Sequence, residues 1–103
     1  MLDHESSNPY YRQIADYFAA QIRDEVLKPG RKLPSESELC SQFSVSRVTA
    51  RKAIRELQQQ RVVERLRMGY VVTSDSTQII AFRQRYLAAI EEEYLNAKGK
   101  VEI

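Results

Sequence analysis

The sequence has few of the residues that build disulfides, metal sites and membrane spans. Its 103 residues include one cysteine, Cys40, one histidine, His4, and no tryptophan. A single cysteine excludes an intrachain disulfide, and one Cys with one His leaves too few ligands for a closed metal site. No run approaches the ~18–20 apolar residues of a membrane helix, and the first residues are acidic where a secretory signal is basic. We therefore expect a soluble, cytoplasmic chain without a metal, a cofactor or a membrane partner.

Catalytic signatures are also missing from the sequence. There is no nucleophile with a base at a characteristic spacing and no glycine-rich loop for phosphate, and the chain has only three glycines. The length suits one domain with a modest core and excludes a two-domain enzyme. The sequence predicts that the chain is not an enzyme.

Positive charge is concentrated in the middle of the chain. The net charge of +2 is too small by itself to indicate a polyanionic partner. Residues 31–70, however, hold nine Lys and Arg against four Asp and Glu, whereas the segments on either side are slightly acidic. The middle segment is therefore the candidate for a functional surface.

Apolar spacing predicts two helices in the first half of the chain. The first opens at Asn8-Pro9, continues to Val26 and is stopped by Lys28-Pro29-Gly30. A short extended piece, residues 31–33, follows because the residue before a proline avoids the α region. The capping-box pattern of residues 35–38 then starts a second helix that lasts to about residue 43.

A third helix is predicted from Arg47 to about Gln60. Ser44-Val45-Ser46 forms the break before it, and Ser46 is placed as its N-cap. Its buried stripe is small near the crossing with the second helix and consists of Ala50, Ala53, Ile54 and Leu57. Two helices joined by a tight turn are the centre of a helix-turn-helix.

The other face of the third helix is basic. Arg47, Arg51 and Arg55 are four residues apart and share one face, near a helix start that favours anions. In a helix-turn-helix this helix enters the major groove, so Arg47, Thr49 and Arg51 would lie nearest the bases. Lys52 and Arg55 would contact phosphates. A solvated helix face is the alternative interpretation of this stripe.

The last part of the sequence predicts a hairpin and a fourth helix. Two β-rich runs, residues 62–63 and 70–73, flank residues 64–69, which gives a hairpin with a basic tip in which Arg65 and Arg67 would reach the DNA backbone or the minor groove. A polar hinge at residues 74–77 with a candidate cap follows. We thus predict a mostly α fold with a small β-hairpin, a winged helix-turn-helix over residues 8–73, and a C-terminal helix within residues 76–103.

Five segments at near-constant spacing carry a resemblance to a known family. They are residues 9–15 (PYYRQIA), 27–30 (LKPG), 33–36 (LPSE), 45–53 (VSRVTARKA) and 63–65 (VER). These segments resemble the winged-helix domain of GntR-family bacterial transcription regulators. The resemblance implies a homodimer that binds a short palindromic operator in double-stranded DNA and usually represses. It also implies that the wing glycine, Gly69, contacts DNA.

Nine residues are predicted to bind DNA when the basic face and the resemblance are combined. They are Ser35, Ser46, Arg47, Thr49, Arg51, Lys52, Arg55, Arg67 and Gly69. The alternative function is a winged-helix interaction module without sequence-specific DNA binding. Its basic face would contact an acidic protein, or its fourth helix would recruit a partner.

The sequence departs from the family pattern at four places. Ser37 stands where the family usually has Arg, and Ser44 and Arg61 stand where it usually has Gly. The wing sequence Arg67-Met68-Gly69 is one residue shorter than usual and keeps one glycine of two. If Ser44 or Arg61 adopts a positive φ, each adds roughly 1 kcal/mol of strain relative to glycine.

The residues after Thr73 resemble the short helical tail of the YtrA-like subfamily, with one helix where two are usual. A single helix cannot enclose a metabolite pocket of ~300 Å³, so a small-molecule effector stays unknown. An exposed apolar stripe is most commonly covered by a two-fold partner. The predicted dimer seam is Ile79, Phe82, Tyr86, Leu87, Ile90 and Tyr94. The alternative is that this helix folds back on the first helix of its own domain.

Overall fold

The computed structural model describes residue 2 and residues 8–101, with side chains through residue 89. This part of the chain forms four helices and one antiparallel hairpin. The elements are α1 (Tyr10–Arg23), α2 (Glu36–Phe43), α3 (Arg47–Gln59), β1 (Val63–Leu66), β2 (Gly69–Val72) and α4 (Ser76–Val101). The predicted fold class, a mostly α winged helix-turn-helix followed by a C-terminal helix, is confirmed.

The starts of α2 and α3 are fixed by the predicted caps. The Ser35 hydroxyl accepts from the Glu38 N–H, and the Ser35 N–H donates to the Glu38 carboxylate, both at 3.1 Å. This bond from the Ser35 backbone is the main reason that the pKa of Glu38 lies below its ordinary value. Ser46 caps α3 by accepting from the Thr49 N–H at 3.2 Å. Each cap satisfies a backbone donor that the helix itself leaves free.

α1 ends earlier than predicted, at Arg23 rather than beyond Val26. Glu25 adopts a φ of 62°, and the Val26 N–H donates to the Gln21 carbonyl at 2.9 Å. A left-handed residue with this backbone bond ends a helix in a Schellman motif. The prediction was wrong because Val26 continues the apolar spacing, while a glutamate gives no local signal for a positive φ. Val26 is instead 72% exposed.

Ser44 and Arg61 end α2 and α3 in the same left-handed conformation. Their φ angles are 55° and 63°, which no L residue adopts without strain. Both residues therefore adopt the positive φ for which strain is expected from the sequence. The turn after α2 and the turn after α3 therefore keep the geometry for which the family uses glycine, at a cost of roughly 1 kcal/mol at each residue.

We expect Arg61→Gly to stabilise the chain by up to about 0.5 kcal/mol, because relief of the left-handed strain slightly exceeds the added entropy of the unfolded chain. Urea denaturation of both proteins measures the difference. Gln60→Gly is the matched control, since Gln60 has a φ of −78° and a glycine there relieves nothing. An Arg61→Gly protein no more stable than the unchanged chain would contradict the strain.

One core connects all four helices to the hairpin. Ala50 and Ala53 are fully buried where α3 crosses its neighbours, as their small size predicted. Ile79 and Phe82 of α4 are 5% and 2% exposed, and α4 contacts α1. The first turns of α4 therefore pack on their own domain, which was the alternative left open for this helix.

The hairpin is tighter than predicted. Leu66 pairs with Gly69, which leaves Arg67 and Met68 as a two-residue turn. Residues 64–66, predicted to belong to the connection, instead form most of β1. The prediction was wrong because Glu and Arg have weak intrinsic strand preference, whereas pairing with β2 satisfies their backbone groups.

The predicted extended piece pairs with the other edge of β2. The Leu33 N–H donates to the Tyr70 carbonyl, and the Val72 N–H donates to the Arg31 carbonyl, both at 2.8 Å. Lys32 forms an antiparallel bridge with Val71. The start of α2 is thereby tied to the hairpin, which fixes the hairpin relative to α2 and α3.

Candidate nucleic-acid interface

α3 and the hairpin enclose an open cleft of about 650 Å³. α3 forms one wall, the hairpin forms the other, and the segment leading into α2 forms the floor together with the first residues of α2. Five of the lining residues are cationic and one is acidic. The cationic residues are Lys32, Arg47, Arg51, Arg55 and Arg65, and the acidic residue is Glu36. The cleft is therefore a positively charged site on the surface of the domain.

Five of the nine residues predicted to bind DNA line this cleft. They are Ser35, Arg47, Arg51, Arg55 and Gly69. The other four lie outside the cleft lining: Arg67 is exposed in the hairpin turn, Lys52 is exposed beside Tyr11, and Ser46 and Thr49 form the start of α3. The structure thus brings the basic stripe of α3 and the wing glycine to one place.

Ser46 and Thr49 are already engaged with each other. In addition to the backbone bond of the cap, the Ser46 hydroxyl donates to Thr49 Oγ1 at 3.0 Å. Ser46 therefore shapes the first turn of α3, and Thr49 keeps acceptor capacity on the same oxygen.

Arg51 is held by Glu36 in a two-point ion pair that sequence reasoning missed. Its Nε and Nη2 lie 3.1 Å and 3.3 Å from the two carboxylate oxygens of Glu36. These bonds lower the pKa of Glu36 and raise the pKa of Arg51, with the hydrogen bond as the main cause in each case. Glu36 precedes Arg51 by 15 residues, so only the packing of α2 on α3 reveals the pair. Glu36 fixes the direction of the guanidinium of Arg51, whose side chain is 53% exposed.

Arg47 is oriented by Ser37, the residue that stands where the family usually has Arg. Its Nη2 donates to the Ser37 hydroxyl at 3.3 Å. Where the family usually has another arginine, this chain therefore has a short acceptor that orients Arg47 in the lining of the cleft.

The remaining cations of this surface lack counter-ions. Within the described residues, Lys52, Arg55, Arg65 and Arg67 form no ion pair. Lys52 lies 5.9 Å from the centre of the Tyr11 ring, and Arg65 lies 5.7 Å from that of Tyr70, its cross-strand partner. Aromatic rings orient these cations without neutralising them. Such a surface attracts a polyanion.

Gly69 keeps the hairpin close to the floor of the cleft. Its φ of +126° is rarely available to other residues, and a Cβ at this position would lie 3.0 Å from Lys32 Cε. The Lys32 side chain is flexible and can move away, so the dependence on glycine at this turn comes from its backbone conformation.

Comparison with protein families identifies this arrangement. The model of the bacterial regulatory proteins of the gntR family matches residues 10–71, more than half of the chain. The chain belongs to the GntR family. The match begins at the start of α1 and includes both walls of the cleft.

Two curated relatives of this GntR-family chain are named as repressors. The mannosyl-D-glycerate transport/metabolism system repressor MngR of Escherichia coli K12 is 54% identical over 56 residues, which cover 54% of this chain and 23% of MngR. The repressor YtrA of Bacillus subtilis 168 is 36% identical over 66 residues, which cover 64% of this chain and 51% of YtrA. The chain thus matches about a quarter to a half of the length of these relatives.

Solved structures show the same fold. A GntR-family transcriptional regulator from Listeria monocytogenes superimposes with a TM-score of 0.87 at 26% identity, covering 99% of this chain and 89% of the other. The DNA-binding domain of AraR in complex with operator ORR3 superimposes with a TM-score of 0.61 at 35% identity, covering 71% of this chain and 89% of the other.

The side chains predicted for the dimer seam do not share one environment in this GntR-family chain. Ile79 and Phe82 are buried in the chain's own core, and Tyr86 is half-buried beneath Arg23, whose guanidinium lies 4.6 Å from the ring centre. Leu87 is 58% exposed. The side chains of the last two predicted seam residues, Ile90 and Tyr94, lie outside the described residues. The seam stays a prediction, and its first two residues need no partner to cover them.

The described part of the chain contains neither a candidate metal site nor a candidate membrane span. Its Cys, His, Asp and Glu residues form no group of three or more that could hold a metal ion. None of its helices combines the length and the apolar content that crossing a bilayer requires.

Proposed function

We propose that the chain is the operator-binding part of a transcription repressor, in which α3 and the hairpin contact duplex DNA. The observation that carries the proposal is the cleft in which α3, the floor and the hairpin contribute five cationic side chains. Further support comes from the repressor relatives and from the fold shared with a domain bound to its operator. Residues 8–73 would form the DNA-binding domain.

In this proposal α3 lies in the major groove with its first two turns nearest the bases. Arg51, aimed by Glu36, and Arg47, aimed by Ser37, hydrogen-bond base edges such as those of guanine. Lys52 and Arg55 contact phosphates. The hairpin turn, with Arg67 exposed at its tip, reaches the neighbouring backbone.

We infer that this chain acts by binding rather than by catalysis, and that it acts in the cytoplasm, where its DNA partner lies. Support comes from its relatives, which are transcription regulators.

Selection from a randomised DNA duplex library tests the proposal. We expect the unchanged protein to enrich a short palindrome and Arg51→Ala to bind it about 10- to 100-fold more weakly, with relaxed preference at one position per half-site. Arg85→Ala is the matched control, because Arg85 lies on α4 and donates to the Gln60 carbonyl away from the cleft. It should enrich the same palindrome as the unchanged protein.

Two outcomes would count against the proposal, one against operator binding and one against the dimeric arrangement. No enrichment at either low or physiological salt would indicate an interaction module whose basic face contacts an acidic protein. An enriched site without two-fold symmetry would contradict the dimeric arrangement, in which half-sites lie about one helical turn apart.

We further propose that residues 76–103 act as a dimerisation tail, with the seam on the solvent side of α4. Ile80 and Leu87 are seven residues apart, so they lie on the same side of the helix, and they are 54% and 58% exposed. Exposed apolar residues repeating every seven positions are typical of a helix that packs on another helix. Ile80 extends the predicted seam.

Leu87→Lys tests this seam. We expect the unchanged protein to sediment as a dimer at micromolar concentration and Leu87→Lys to sediment as a monomer, because a buried lysine at a helix seam loses its hydration. Ala88→Lys, at the next and also exposed position, is the control and should remain dimeric. A protein that is monomeric without any change would rule out the seam.

A further inference from the structure

Val48 lies on the face of α3 opposite its buried residues. At about 100° per residue, it points about 170° away from the mean direction of the buried residues of the helix. Those buried residues are Ala50, Ala53, Ile54 and Leu57. Val48 is 61% exposed and lies in the first turn of α3. It is therefore a side chain of α3 that projects directly outward, at the end of the helix nearest the turn.

The fold does not account for an apolar residue at this point. Val48 lies on the side opposite the core, and β-branched residues lower helix propensity. Its neighbours Arg47, Thr49 and Arg51 are all polar, and each is held by another side chain, Ser37, Ser46 and Glu36 respectively. The surface around Val48 is thus ordered and cationic, with one uncovered isopropyl group projecting from it.

We propose that Val48 contacts the C5-methyl group of a thymine in the operator and is a specificity-determining residue. The inference rests on the proposed function, since it requires α3 to lie in the major groove. Among the base edges exposed there, the thymine methyl is the apolar group, and apolar side chains recognise it by contact. Hydrogen bonds from Arg47 and Arg51 read neighbouring bases, whereas Val48 distinguishes thymine from cytosine at its own position.

Replacing thymine by deoxyuridine isolates this contact. Deoxyuridine keeps every hydrogen-bonding group of thymine and lacks only the C5-methyl group. We would substitute each thymine of the selected palindrome in turn and measure Kd for the unchanged protein and for Val48→Ala. For the unchanged protein, one thymine per half-site should show about a fourfold weaker Kd when its methyl is removed, the value of one buried methyl group. For Val48→Ala, the same substitution should change Kd by less than about 1.5-fold, because the partner of the methyl is already gone.

Val26→Ala is the matched control, because it deletes the same two methyl groups from an exposed valine outside α3. It should retain the full fourfold penalty. The proposal is overturned if no thymine shows a penalty with the unchanged protein, or if Val48→Ala keeps the penalty. An unchanged protein that enriches no sequence at all overturns the proposed function and this inference with it, so the two failures are distinguishable.

Discussion

Affinity for the selected operator is expected to fall by roughly 10³-fold or more between 50 and 200 mM salt, because six or more phosphates are neutralised and their counter-ions released. The basis is the set of cations on the face of α3 and the hairpin, several of which have no counter-ion within the described residues. A plot of log affinity against log salt concentration should have a slope of about −5 or steeper. Fluorescence anisotropy with a labelled duplex measures it.

Single substitutions separate the contributions to this slope. Lys52→Ala removes one phosphate contact in each half-site of the proposed dimer, so the slope should become shallower by about 2 while the preferred sequence is unchanged. Arg85→Ala should leave the slope unchanged, since Arg85 is engaged with the Gln60 carbonyl. A slope near zero for the unchanged protein would contradict a binding mode based on phosphate contacts.

The helix starts could be predicted from sequence because caps are local. Ser35 with Glu38, and Ser46 with Thr49, are three residues apart, and their hydrogen bonds need no other part of the fold. The helix ends were harder to predict. Glu25 takes a positive φ in the Schellman motif that ends α1, and a glutamate does not signal that conformation, so the end of α1 was placed too late.

The composition of the candidate site was predictable, but its internal contacts were not. Periodicity places Arg47, Arg51 and Arg55 on one face whatever the rest of the molecule does. The ion pair between Arg51 and Glu36 depends on how α2 crosses α3, which no local pattern encodes. Val48 was overlooked for a different reason. It lies within the segment that carries the family resemblance, yet an apolar residue gives no charge signal.

α4 shows the same limit. Its apolar spacing was visible, but spacing alone does not say which neighbour covers the stripe. The first turns of α4 pack against the chain's own core, and polar contacts also hold them there. Arg83 donates to the Glu25 carboxylate at 2.7 Å, and Arg85 donates to the Gln60 carbonyl at 3.2 Å, so α4 is held at the C-terminal ends of α1 and α3.

Phe82→Ala is expected to destabilise the chain by about 3–5 kcal/mol, because it leaves a cavity the size of a phenyl ring in the core. Phe82 is 2% exposed and packs edge to face against Tyr86, with ring centres 5.8 Å apart. A loss of this size is a large part of the ~5–15 kcal/mol that stabilises a typical domain. Urea denaturation followed by circular dichroism measures it.

Protein concentration decides between the two environments considered for Phe82. Substituting a core residue lowers the free energy of unfolding by the same amount at every protein concentration. Substituting a seam residue lowers it less where the dimer is already dissociated. We therefore expect Phe82→Ala to lose the same unfolding free energy at two protein concentrations, the lowest usable one and one about 50 times higher. Leu87→Ala is the control. Because the Leu87 side chain is exposed, its loss should change the unfolding free energy of a single chain little. A loss for Phe82→Ala that vanishes on dilution would assign it to the seam, and the direction of α4 would then be set by the partner and not by its own domain.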